Sequence, residues 1–373
     1  MTEREAYIAF NLLPDVGAVK VGRLREKHGD AVSAWDAVGD RLDWQGKPPQ
    51  WEREIERAEK MKVKLVTLID DDYPPLLKEI ASPPLVLYVA GEVAALDRPA
   101  VALVGTRHPT LYGQETAHHF AIGLAHAQWA VYSGLALGID AAAHRGALEG
   151  GGVTAAILGG ALDKFYPKDN TRLAREIVDA GGAVASEFPF GRQPDQQTFP
   201  QRNRIVAGLS RGVVAVEAPM QSGTLITCRL AGEQGRTVMA VPGRIDSKNS
   251  QGCLHLIREG ATMVTSVDDI LEAVGGWTTP RPKPTVDREP PIRRSPVSRT
   301  PPAARNRPEV VEASMSVEEA AVLSALNEEP MLVDELVRKT HLPVGRLNSL
   351  LAQLRMKRRI NFLPSNRVQR VGG

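Results

Sequence analysis

Seven short apolar runs, each followed by a helical stretch, recur between residues 100 and 274. They fall at 101–104, 130–133, 153–158, 183–186, 213–216, 237–241 and 262–265. Runs this short and continuous, without polar alternation, are the mark of strands covered by helices on both faces. Several end in small residues: Gly105, Ser133-Gly134, Gly159-Gly160 and Gly243. The pattern predicts an α/β fold with an extended Rossmann-like, mostly parallel sheet, and a site along the edge where the strands end.

The flanks break this rhythm. Residues 1–62 read as helical, with helices at 3–13, 18–27 and 49–62. A helix, a turn containing Gly17 and a second helix are similar to a helix-hairpin-helix (SAM-like) unit, whose turn amides can hold a DNA phosphate. A plain helical domain is the other reading. Residues 63–100 form a transition, with short strands at 63–68 and 85–89 and prolines at 74, 75, 83 and 84 that force extended or turn backbone. Asp70, Asp71 and Asp72 have no further ligand at useful spacing, so they read as a solvated turn rather than a metal site.

Residues 277–309 hold nine prolines and eight Lys/Arg against three Asp/Glu. Such a segment buries too little to offset its ordering entropy, and is expected to be a disordered or extended basic linker. Helices at 317–326, 332–339 and 344–359, then two short strands within 360–371, predict a C-terminal winged helix. From Pro343 onward there are seven Lys/Arg and no Asp/Glu, a nucleic-acid signature on the element that would meet double-stranded DNA. The same fold also serves as a protein–protein module. The expected organisation is therefore a helical domain at 1–62, a Rossmann-like DNA-binding domain at 63–276 (core 100–274), a basic Pro-rich linker at 277–315 and a winged helix at 316–373.

Whole-chain charge excludes little, because the net value is only +2 over 373 residues. Two cysteines, Cys228 and Cys253, have neither disulfide-framework nor zinc-site spacing. The N-terminal residues lack an apolar signal core, and no run is long enough to span a bilayer. A cytoplasmic protein without metal or cofactor is the expectation.

The chemistry gathers in residues 186–227. There Phe199-Pro200 precedes Arg202-Asn203-Arg204 at a helix start, and Glu217 ends a strand just before Ser222-Gly223-Thr224 opens another helix. A small-residue turn at a helix N-terminus after a strand is where α/β proteins bind anions. The first strand adds Gly105, which allows close backbone approach, and Arg107, whose rigid fork suits phosphate. The third adds Lys164 and Lys168 around Tyr166-Pro167. Cations and two aromatics on one sheet edge suit single-stranded nucleic acid. Asp140 and His144 share a helix face, as a base with its orienter or as a helix-stabilising contact. His118 and His119 read as surface or satisfied residues. There is no GxxxxGK[ST], HExxH or GxSxG, and no clean GxGxxG with a following acid.

Eight blocks in order carry a family resemblance: GTRHPTLYG, SGLALGIDAAAH, LGGALDKFYPKDN, SEFPFG, FPQRNRIVAGLS, VEAPMQSGTLIT, AVPGRI and SQGCLHLIREGA. In these the chain resembles the DNA processing protein A (DprA/Smf) family across nearly its whole length. The departures are small, with Thr106 where Ser is common and Cys228 where Ala is common. The resemblance implies a non-enzymatic protein that binds single-stranded DNA, protects it and loads RecA onto it in natural transformation and recombination. It also implies a homodimer. The family's DNA pocket maps onto Arg107, Lys168, Phe199, Arg202 and Arg204; Gly105, Asn203, Ser222, Gly223 and Thr224 complete the expected DNA-binding set. The alternative is an enzyme. EAPMQSGT is distantly similar to the PGGxGT loop of "lonely guy" phosphoribohydrolases, in which Glu217 or Asp140 would serve hydrolysis of a nucleoside monophosphate. The PGGxGT glycines are absent here.

Overall fold

A computed structural model describes residues 1–14, 16–38, 49–275, 317–326, 331–340, 342, 347, 350, 351, 354, 359–363 and 367–370. It divides into two compact units, Met1–Pro284 and Thr285–Gly373. The linker expected at 277–315 and most of the helix expected at 344–359 lie outside the described residues.

The first unit is built on a nine-stranded sheet. Its strands are β1 (Lys64–Thr67), β2 (Val86–Gly91), β3 (Ala100–Val104), β4 (Ala130–Ser133), β5 (Thr154–Ile157), β6 (Ala183–Ser186), β7 (Gly212–Ala215), β8 (Thr237–Ala240) and β9 (Thr262–Met263). The order is β1-β2-β6-β5-β4-β3-β7-β8-β9. Strands β3 to β9 run parallel, while β1 and β2 pair antiparallel with each other and β2 antiparallel with β6. The segment 63–100 is thus more than a transition, since its two strands extend the sheet beyond β6. From β3 the chain steps outward through β4, β5 and β6, then returns to place β7 on the other side of β3. That reversal makes β3/β7 the topological switch point, where an open α/β sheet leaves a crevice.

Helices cover both faces because alternate strand residues point to opposite sides. Ala100, Ala102 and Val104 enter one core with Val213 and Ala215, beneath α9 (Thr198–Gly208) and α10 (Gly223–Glu233). Val101 and Leu103 enter the other with Val214 and Val216, beneath α6 (Leu111–His126), α7 (Ile139–Glu149) and α12 (Val267–Val274). All five residues of β3 are buried. Each such Val or Leu contributes about 1.5–3 kcal/mol of burial free energy. The same unit contains α5 (Pro75–Lys78), α8 (Thr171–Asp179) and α11 (Gln251–Arg258).

Helices α1 (Glu3–Asn11), α2 (Ala18–His28), α3 (Ala31–Val38) and α4 (Trp51–Lys60) pack with β1 and β2 in a third core. A capping box between Thr2 and Glu5 starts α1. The sequence reading omits α3, whose stretch AVSAWDAV offers no amphipathic stripe. Its Trp35 packs edge-on against Phe10 at 5.1 Å. The Asp70 carboxylate accepts from the Thr67 amide at 2.8 Å and meets Arg4, as befits a turn. Among the described residues no helix is long and apolar enough to cross a membrane.

The C-terminal unit contains α13 (Val317–Ala325), α14 (Val333–Thr340) and a three-stranded antiparallel sheet, β10 (Met331–Leu332), β12 (Arg367–Arg370) and β11 (Ile360–Leu363). The core is aliphatic: Val322, Leu323, Leu336, Leu347, Leu351 and Val368 are buried together. This is a winged-helix arrangement, with β10 as a third strand that the sequence reading does not contain.

Candidate nucleic-acid interface

The switch point holds a crevice of about 310 Å³. It is lined by the loop after β3 (Gly105 to His108), the loop after β4 (Gly134, Ala136), Asp140 of α7, one side of α9 (Phe199, Arg202, Asn203) and the start of α10 (Ser222, Gly223, Thr224). Eight of the ten expected site residues therefore line one crevice. Lys168 and Arg204 do not.

Gly105 is required by close packing, because an added Cβ would sit 2.4 Å from Ile139. Arg107 is exposed, with its guanidinium carbon 5.0 Å from the centroid of the Phe199 ring. Phe199 is half-buried rather than core. It lies on Gly159, where a Cβ would come within 2.7 Å of the ring. Tyr166 flanks it at 6.1 Å and is 50% exposed. Lys168 is exposed at the start of a short 3-10 turn that ends in Asn170. The Asn170 amide donates to the Leu135 carbonyl at 2.9 Å and to Ala136 at 3.2 Å, tying that loop to the one after β4.

Two of the expected DNA contacts are placed otherwise. Arg202 is only 6% exposed. Its Nη1 donates to the carbonyls of Gly134 and Ile157, at the ends of β4 and β5, and its Nε to Asn203 at 3.3 Å. Burial is the first cause that pushes its pKa down, to about 10; Asp140 opposes this and the like charge of Arg107 adds to it. It stays protonated and holds the crevice floor rather than facing solvent. Arg204 turns away and pairs with Glu187 at the end of β6. Burial pushes the Glu187 carboxyl up, and Arg204 pulls it back. Positions 202 and 204 are about 200° apart on a helix, so both cannot face one crevice.

Asp140 and His144 do not pair in the way their spacing predicts. The Asp140 carboxylate accepts from the amides of Gly134 at 3.1 Å and Ala136 at 3.3 Å, shaping the loop after β4. Burial raises its pKa, with Arg202 the largest opposing influence. His144 instead shares a hydrogen bond with Thr154 Oγ1 at 2.7 Å, and burial pushes its pKa down to about 3. Glu217 is likewise committed. Its carboxylate accepts from the Thr110 amide at 2.8 Å and from the Thr110 hydroxyl, fixing the start of α6.

Ser222 is the N-cap residue of α10, and its side chain makes no capping hydrogen bond. Gly223 is exposed with open space where a Cβ would stand. The Asn203 amide donates to its carbonyl at 3.4 Å, joining α9 to α10. The Leu225 amide closes the turn onto the Ser222 carbonyl at 3.2 Å, which leaves the Gly223 and Thr224 amides for an anion. The sequence reading marks Gly134 as part of a small-residue turn after a strand, but its amide faces Asp140 rather than an outside anion; Thr110 and Asn170, which brace the neighbouring loops, it does not single out.

The comparisons agree with this fold. Residues 64–275 match a family model described as DNA recombination-mediator protein A. Residues 300–366 match one described as DprA winged helix domain. Protein Smf of Synechocystis is 32% identical over 406 residues, covering 99% of each chain. DNA processing protein DprA of Streptococcus pneumoniae is 47% identical over 205 residues, 55% of this chain and 72% of that protein. The X-ray structure of DNA processing protein A from Streptococcus pneumoniae superposes with a TM-score of 0.63 at 39% identity, covering 73% of this chain and 98% of that one. DNA processing protein A from Helicobacter pylori, solved for its single-stranded DNA binding mode, gives 0.52 at 30% identity, covering 57% of this chain and 97% of that one.

Proposed function

Because the chain belongs to the DNA recombination-mediator protein A family, we propose that its switch-point crevice binds single-stranded DNA and that the protein is a binder rather than an enzyme. The observation that carries this is the Arg107–Phe199–Tyr166 group beside the open N-terminus of α10. A cation, two aromatic rings and a helix N-terminus supply what a single strand offers in return: phosphates to neutralise and base faces to stack on. In this reading Arg107, Lys168, Asn203 and the turn Ser222-Gly223-Thr224 meet the backbone, Phe199 meets a base, and Gly105 lets Ile139 pack close beneath the loop after β3. Arg202 and Arg204 hold α9 in place. The relative from Helicobacter pylori, solved for its single-stranded DNA binding mode, supports the ligand class.

The phosphoribohydrolase alternative asks Asp140 or Glu217 to act on substrate. Both carboxylates already accept hydrogen bonds from the protein itself, which favours the binder. The proposal extends to a cytoplasmic homodimer that shields incoming strands and hands them to RecA in transformation or recombination. It assigns 63–276 to the strand, 1–62 to support, 277–315 to a tether and 316–373 to a second contact with duplex DNA or protein.

Fluorescence anisotropy of labelled oligothymidylate against a duplex of equal length tests the core of this reading. The full chain is expected to prefer the single strand, with log K falling linearly in log salt. Arg107→Ala is expected to weaken binding about 10-fold and to reduce the salt slope by about 0.7, the share of one phosphate. Duplex preference, or an unchanged slope in the variant, would sink it. RecA loading is tested separately, by whether the protein speeds RecA filament growth on a strand it already covers.

A further inference from the structure

Arg107 covers the very ring that a base would stack on. Its guanidinium carbon stands 5.0 Å from the Phe199 centroid, within cation–π reach. Among the described residues that guanidinium has no hydrogen bond or ion pair, and Arg107 is exposed. Phe199 is seated on the backbone at Gly159, where any side chain would collide with the ring. Tyr166 flanks it at 6.1 Å with the rings tilted by 50°. The ring thus has backbone against it, a phenol beside it and a cation over it.

We propose that Arg107 is a gate on Phe199, which makes the crevice selective for strands that carry bases as well as phosphates; this rests on the single-strand reading above. A base reaches the ring only as the guanidinium leaves. The guanidinium leaves readily only if a phosphate takes it, since otherwise it trades a ring for water. A strand with both groups completes the exchange: the phosphate takes the cation and the base takes the ring. A polyanion without bases pulls the cation away but leaves the aromatic face uncovered. A free nucleobase must expel the cation with nothing to receive it.

The exchange makes an opposite-sign prediction. Anisotropy is measured with the full chain on oligothymidylate and on an abasic oligomer of the same length and charge. Phe199→Leu keeps apolar bulk but removes the ring that holds Arg107. It is expected to weaken thymidylate binding about 10-fold and to tighten abasic binding about 3-fold, because the cation no longer has to be pulled off a ring. Phe199→Tyr, which keeps the ring, is expected to match the wild type on both probes. In an Arg107→Ala background the tightening should vanish. Should Phe199→Leu fail to fold, Phe199→Met takes its place. Abasic binding that is unchanged or weaker in the ring-less variant overturns the gate, even where thymidylate binding falls as the strand reading expects. Wild-type protein that does not bind thymidylate overturns both.

Discussion

Among the cations along the C-terminal edge of the sheet, the fold treats four as two pairs. Arg202 and Arg204 lie in the middle of α9 and are spent inside the protein, one on strand-end carbonyls and the other on Glu187. Arg107 and Lys168 sit on loops, exposed and without an ion pair among the described residues. The side-chain charge is the same; the surroundings decide the job. Strands that end under a helix leave carbonyls that must be satisfied, and a guanidinium with five donors serves several at once. Loops beyond the strand ends have no such debt, so their cations remain available to a ligand. One pair builds the edge and the other works on it.

The sharpest way to break this division is to remove Arg202. Arg202→Ala leaves Asp140 buried beside two unpaired carbonyls, and about 3–5 kcal/mol of stability should be lost in urea unfolding. A wild-type midpoint would return Arg202 to the ligand-binding side. Arg204→Ala should cost less, about 2 kcal/mol, because burial already pushes Glu187 toward its neutral form. The loss should shrink as pH falls and Glu187 takes up a proton; a loss independent of pH would mean the ion pair is not its source.

Proton sensitivity sharpens the same contrast. The folded pKa of His144 is depressed to about 3 by burial, so between its ordinary value of about 6.5 and about 3 the folded state binds fewer protons than the unfolded one. Its stabilising contribution is full above that window and falls by about 1.4 kcal/mol per pH unit as acid is added. Asp140, Glu187 and Glu54 are all raised, and favour the folded state as pH drops through their own windows. In thermal melts the His144 share is isolated as the difference between wild type and His144→Gln, and the wild-type advantage should shrink as pH falls below about 6.5. The smallest structural effect belongs to Lys168. Lys168→Ala should leave stability within about 0.5 kcal/mol, while reducing the salt slope of strand binding by about 0.7. An unfolding midpoint that moves with Lys168 would blur the two pairs into one.

Much of this was legible in the residues. The short apolar runs locate all seven parallel strands, since a strand buried on both faces has little room for polar alternation. The small residues after those strands mark the edge that carries the crevice. What escaped was whatever depends on distant partners. Nothing near Arg202 reveals carbonyls 45 and 68 positions away, and nothing near Arg204 singles out Glu187. Reading RNR as three ligand contacts follows from composition, but helical geometry turns the two arginines to different sides. The antiparallel strands β1 and β2 looked like a connection because prolines crowd between them; the register of β2 against β6 is a long-range fact. Helix α3 carries apolar residues on too many sides to show a stripe.

Gly134 has a consequence of another kind. A Cβ placed there would stand 2.1 Å from Nη1 of Arg202, so the hydrogen atom at that position is as specific a requirement as any functional group nearby. The order in which the two positions can change is therefore constrained. A side chain at 134 pushes the guanidinium end off the Gly134 and Ile157 carbonyls, and shortening residue 202 first strands Asp140. The route to a different crevice floor runs through a damaged intermediate, whichever residue moves first. Variation is easier to accommodate at the loops above, where Arg107, Tyr166 and Lys168 can change one at a time.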